Sequence, residues 1–155
     1  MSVAEPAPDR GGATTYRGAV RWDYRPRRDR RADPGEVVWA WVAFEEDARV
    51  GKDRPIAVIG RTADVRLVAV MLSTKDHSGD GNWLALGSGP WDPAGRASWV
   101  RTDRLLAVHP DAIRREGAAL GPEAFARLAR AMRRPRGLRR AVRAVRSLLP
   151  PARER

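Results

Sequence analysis

Pro34-Gly-Glu-Val-Val-Trp-Ala-Trp-Val-Ala-Phe44 is the stretch on which the fold turns. Pro-Gly marks a turn. The residues after it are β-branched and aromatic, the types that suit a pleated, packed surface. Both phases of the alternation are apolar: Val37, Trp39 and Trp41 on one side, Val38, Val42 and Phe44 on the other. A strand apolar on both faces belongs at the centre of a sheet or at a subunit interface.

Downstream, residues 45–53 read as a charged loop containing a glycine, and 55–60 as a short strand. After a tight connection at 61–64, residues 65–73 form another strand and 74–81 a second polar loop. Residues 83–86, 98–101 and 105–108 supply further short strands. Five or six short strands with brief turns predict a small barrel or curled sheet, a mainly β (α+β) fold. The period then changes. Pro110-Asp111 starts a short helix through Glu116, and Gly121-Pro122 starts another, with proline suited to its first turn. Phe125, Leu128, Ala129 and Met132 recur as a core-facing stripe. After Pro135 a last helix over 136–149 sets Leu138, Ala141, Val142, Val145 and Leu149 on one face and arginines on the rest.

Upstream, residues 1–33 are rich in proline, glycine and charge and predict a mostly irregular basic arm. Tyr16, Trp22 and Tyr24 tie part of it to the body. The chain therefore divides into an arm (1–33), a folded domain with helices (34–134) and a cationic amphipathic helical tail (135–155).

The formal net charge of +11 is unevenly placed. Residues 1–126 carry nineteen Lys and Arg against eighteen Asp and Glu, a net of +1. Residues 127–155 carry eleven arginines against one glutamate, a net of +10. Such a block points to a polyanionic partner. The absence of cysteine excludes disulfides and thiol chemistry. No eighteen-residue apolar run is present, so no membrane span is expected. The first fifteen residues lack a secretory apolar stretch. A cytoplasmic address fits all three.

Several pieces line up in order: Pro34-Gly35-Glu36-Val37-Val38-Trp39, then Gly51-Lys52-Asp53-Arg54-Pro55-Ile56, then Val70-Met71-Leu72-Ser73-Thr74-Lys75, then Ser98-Trp99-Val100-Arg101-Thr102-Asp103. Together they resemble the PemK/MazF family of toxin–antitoxin endoribonucleases, in a divergent actinobacterial-type branch, over roughly residues 33–132. The resemblance implies an SH3-like β-barrel with helices, a homodimer, and metal-independent cleavage of single-stranded RNA. It implies an acidic antitoxin protein as partner and no cofactor. The family's arginine before proline falls on Arg54, and its threonine at the end of the third strand falls on Ser73, with Thr74 beside it. The approach Gly51-Lys52-Asp53 departs from the family's glycine-rich one, and the threonine–serine order is inverted.

RNA is cut when its own 2′-hydroxyl attacks the adjacent phosphorus. An arginine and a hydroxyl that bracket one phosphate supply fixed donors aimed at the developing charge. Arg54, Ser73 and Thr74 are therefore candidate catalytic residues. His77 joins them, because imidazole exchanges protons near neutral pH. Lys52, Lys75 and Arg101 are candidate phosphate contacts, and Trp83 and Trp91 candidate base-stacking residues. Blander readings stand beside these. Arg54 pairs with Asp53 on a solvated loop; Ser73 and Thr74 close a strand by local hydrogen bonds; His77 is an exposed loop residue; the tryptophans pack. The acids Glu45, Glu46 and Asp47 read as a solvated loop, and no metal site is expected. The alternative function is a non-catalytic nucleic-acid-binding module on the same barrel. A gyrase-poisoning relative is disfavoured by the ending Pro-Pro-Ala-Arg-Glu-Arg155.

Overall fold

The computed structural model describes residues 4–9, 11–27 and 32–133. The expected last helix and the tail at 135–155 lie outside the described residues. The architecture is mainly β: ten strands in one sheet, a 3-10 turn and one helix near the C-terminal end of the described chain. The strands are β1 (Glu5–Pro6), β2 (Thr14–Tyr16), β3 (Arg21–Trp22), β4 (Glu36–Ala43), β5 (Val50–Arg61), β6 (Leu67–Ser73), β7 (Trp83–Gly87), β8 (Ser98–Arg101), β9 (Leu105–Val108) and β10 (Ile113–Ala119). The helix is α1 (Pro122–Arg133). The main path runs β10-β4-β5-β6-β8-β7, and every strand pairing is antiparallel.

The stretch at 34–44 behaves as its pattern dictates. Val37 joins one core cluster, with Ala57, Ile59, Val70, Leu72, Phe125 and Leu128. Val38, Ala40 and Val42 join a second, with Ile56, Val58, Ala69, Met71 and Leu106. The strand is thus buried on both faces. The stripe on α1 closes the first cluster, and Phe125, Leu128 and Ala129 are buried. The arm is more ordered than expected. Its three short strands extend the sheet, and Ala13 bridges to Val42. Trp22 and Tyr24 meet Phe125 at ring-centroid distances of 6.1 and 4.9 Å, and the Tyr24 hydroxyl donates to the Leu120 carbonyl at 2.7 Å.

Two expectations need correction. Residues 110–116 are not one short helix: a 3-10 turn at Pro110–Ala112 leads into β10, which pairs with the free edge of β4. The edge of an apolar central strand demands main-chain partners, and that demand outweighs the local helix-start signal. Residues 50–53 are not loop either. They begin β5, because Gly51, Lys52 and Asp53 find register partners in Ala43, Val42 and Trp41.

Pro55 decides where the next ladder ends. The Phe44 N–H donates to the Val50 carbonyl at 2.9 Å, and the Ala7 N–H donates to the Arg49 carbonyl at 3.0 Å. By alternation, residues 50, 52, 54 and 56 turn their main-chain groups to β4, and 51, 53 and 55 turn theirs the other way. Pro55 therefore presents its missing N–H to the β6 side, where it removes a ladder bond. The β5–β6 ladder stops at Ile56↔Met71. Beyond it β6 keeps a partner only on its other edge, where β8 follows β9 through Leu72↔Val100 and Ser73↔Trp99. β5 and β6 part, and a cavity opens between them.

Candidate functional site

That cavity, of about 180 Å³, is lined by Lys52, Asp53, Arg54 and Pro55 from β5 and by Leu72, Ser73 and Thr74 from the end of β6. Trp39, Trp91, Asp92, Arg96 and Ser98 complete its wall. Arg54 and Ser73 each stand two residues beyond the last register pair, Ile56↔Met71, on the strands that part there. Both side chains fall on one face of the sheet, since side chains alternate along each strand.

Arg54 is half-buried. No carboxylate pairs with it among the described residues. Asp53, the neighbour available to neutralise it, is paired with Arg114 instead. Other arginines are matched: Arg49 to Asp47, Arg61 to Asp33, Arg66 to Asp64, Arg96 to Asp92. Burial, and after it the charges of Arg104 and Arg101, hold the Arg54 guanidinium below the ordinary arginine range. Lys52 is depressed for the same reasons, burial first and the Arg54 charge second. A partly desolvated cation without a counter-ion raises the affinity of its cavity for an anion.

The Ser73 hydroxyl accepts from the Lys75 main-chain N–H at 3.1 Å, and its Oγ lies 3.1 Å from His77 Nε2. His77 is not a solvated loop residue. It is half-buried and stacks on Trp83, with centroids 3.6 Å apart and planes 2° from parallel. Thr74 is exposed at the cavity mouth. Lys75 is exposed as well. Arg101 does not line the cavity. Its Nε donates to Asp103 at 2.7 Å and its Nη2 to Glu45 at 2.7 Å, and these bonds, the Asp103 one foremost, raise its pKa. Trp91 is 6 % exposed, and its indole N–H donates to Ser98 Oγ at 2.9 Å. It belongs to the first core cluster and gives the cavity a wall.

Sequence reasoning missed Arg104, Trp99, and the pair Asp92–Arg96. Arg104 is 5 % exposed; its Nε donates to Thr15 Oγ1 at 2.9 Å and its Nη2 to the Ala43 carbonyl at 2.8 Å. The arm thus braces a buried cation whose charge bears on Arg54. Asp92 accepts from the Arg96 main-chain N–H at 2.7 Å and from its guanidinium at 3.0 and 3.1 Å. The Arg96 hydrogen bond chiefly holds the Asp92 carboxyl below its ordinary range. A carboxyl with a lower pKa in the folded state contributes stability above its unfolded pKa of about 4 and loses it as pH falls. Asp92→Asn is expected to be less stable than the parent at pH 7, with the difference shrinking as pH falls below about 4. Denaturation midpoints measured across pH check this, and parallel curves would refute it.

Among the described residues no helix is long and apolar enough to cross a membrane. No curated protein matches the chain. A family model of the PemK-like, MazF-like toxins of type II toxin–antitoxin systems matches residues 33–134. Those residues hold β4 to β10, α1 and the whole cavity lining, so the chain belongs to the PemK-like, MazF-like toxin family.

Proposed function

We propose that this protein is the toxin of a type II toxin–antitoxin pair and acts as a metal-independent endoribonuclease on single-stranded RNA, mRNA included. The observation that carries the reading is the Arg54 guanidinium, without a carboxylate partner among the described residues, facing Ser73 and Thr74 across one cavity.

In this reading the scissile phosphate sits between β5 and the end of β6. The 2′-hydroxyl attacks phosphorus, the O2′–P bond forms and the P–O5′ bond breaks. The products are a 2′,3′-cyclic phosphate and a 5′-hydroxyl. Arg54 stabilises the negative charge that builds on the phosphoryl oxygens, where preorganised donors contribute most. The hydroxyls of Ser73 and Thr74 donate to the same oxygens. One proton leaves O2′ and one reaches O5′. His77, joined to Ser73 through Nε2, is the side chain best placed to carry one of them. Lys52 and Lys75 attract the flanking phosphates, with Trp83 on the base side; Arg101, held by Asp103 and Glu45, and Trp91, buried in the core, support the site instead of touching RNA. The fold in this reading is the family's SH3-like barrel, with the arm strands added to it. A homodimer, an acidic antitoxin and a cytoplasmic site of action accompany the family's activity. The +10 segment at 127–155 gathers RNA or grips the antitoxin.

The test is direct. The purified chain is incubated with a mixed-sequence single-stranded RNA in the presence of EDTA. Fragments ending in 2′,3′-cyclic phosphate are expected. A folded chain that leaves every such RNA intact sinks the reading.

A further inference from the structure

Three aromatic rings meet beside Ser73. Trp83 is covered on one face by His77, which lies parallel to it at 3.6 Å. Trp99 meets His77 edge-on, with centroids 6.4 Å apart and planes at 74°. The cross-strand partners fix the place: Ser73 is opposite Trp99, and Trp83 is opposite Arg101. Trp99 and Arg101, two apart on β8, share a face with Ser73. Trp99 is half-buried, yet it belongs to neither core cluster and packs against neither. A tryptophan is a large apolar residue whose ordinary place is against a core. Here it stands outside both, one residue across from the hydroxyl proposed to hold phosphate.

Two rings set nearly at right angles make a corner. A flat heterocycle lies face-on against one ring and presents its edge to the other, the two arrangements aromatic quadrupoles favour. His77 is locked into the corner twice, by its stack on Trp83 and by its contact with Ser73. The Arg101 guanidinium, held by Asp103 and Glu45, borders it. We propose that Trp99 and the His77–Trp83 stack form a nucleobase subsite, which seats the base of a nucleotide next to the phosphate at Arg54 and Ser73. Trp99 and His77 are then the stacking surfaces, and Trp83, with a face already covered, is their support. This rests on the RNA reading above and adds where a base is bound.

The probes are cleavage-inert 2′-O-methyl oligonucleotides of a single base type, and an oligomer of equal length and charge that carries no bases. Binding to the full chain is measured by titration. The parent is expected to prefer base-bearing oligomers by about tenfold, the size of one stacking contact. Trp99→Leu should abolish that preference, Trp99→Phe should keep most of it, and both should bind the base-less oligomer like the parent. Unchanged base-less binding also reports that the variant is folded. Equal binding of both probes by the parent overturns the subsite and leaves the phosphate chemistry standing. A preference that survives in Trp99→Leu also overturns it, because the base is then read elsewhere. Binding of neither probe removes the RNA reading itself, and the subsite with it.

Discussion

Arg54→Ala is expected to slow RNA cleavage by about 10²- to 10³-fold without lowering the stability of the fold. The rate loss follows from removing a fixed donor aimed at developing phosphoryl charge, which typically has this size. The stability expectation follows from the surroundings. Arg54 has no carboxylate partner among the described residues, and the charges of Lys52, Arg101 and Arg104 lie close enough to be felt. Removing it relieves repulsion and takes a costly cation out of a half-buried position, so the midpoint of thermal unfolding should hold or rise. Arg54→Lys is the sharper companion. It restores a charge but not the planar two-pronged fork, and so should recover only part of the rate. Single-turnover cleavage and thermal unfolding are measured on the same preparations. Full activity in Arg54→Ala would remove its catalytic role, and a rate loss that tracks a lower melting temperature would show that the residue is structural.

The fate of the other expectations has a physical pattern. The strand at 36–43 was legible because both its faces are apolar and its residues are β-branched and aromatic, between a Pro-Gly turn and a charged segment. The beginning of β5 was not. Gly51, Lys52 and Asp53 have loop composition, and the reason they extend a strand lies in main-chain pairing with β4, which side chains do not announce. The 110–116 segment failed in the same way, since the edge of β4 outweighs a local Pro-Asp signal. In the site, Arg54, Ser73 and Thr74 were found through the family resemblance. Their meeting in one cavity has a cause visible in the chain, for Pro55 follows Arg54 and cannot bond to β6. Trp99 had a signal that went unused, namely its alternation with Arg101 along one short strand. Arg104 had none. Nothing local distinguishes a buried arginine bonded to Thr15 and a carbonyl from the twenty-seven others in the chain.

The largest stability loss is expected at Leu128, and it tests whether the helix holds the cavity in shape. Leu128 is fully buried in the first core cluster, on the face of α1 that packs against the sheet. The same cluster contains Leu72 and Trp91, and both line the cavity. Arg127, one residue earlier, donates to the carbonyls of Ala85 and Leu86 at 3.3 and 3.4 Å and ties the helix to β7. Leu128→Ala removes buried methyl groups and leaves a void that a strand-backed site collapses only partly to fill, a change that costs about 3 kcal/mol. For a chain of this size that corresponds to a fall of about 10 °C in melting temperature. The exposed neighbour Arg130→Ala, on the opposite side of α1, should shift stability by no more than about 0.5 kcal/mol. Denaturant titration of both variants separates the outcomes. A loss below about 1 kcal/mol at Leu128 would mean that α1 is not an integral wall of the core. If the loss is as large as expected, residual cleavage by Leu128→Ala at low temperature measures how far the placement of Ser73 depends on the packing of Leu72 beneath it.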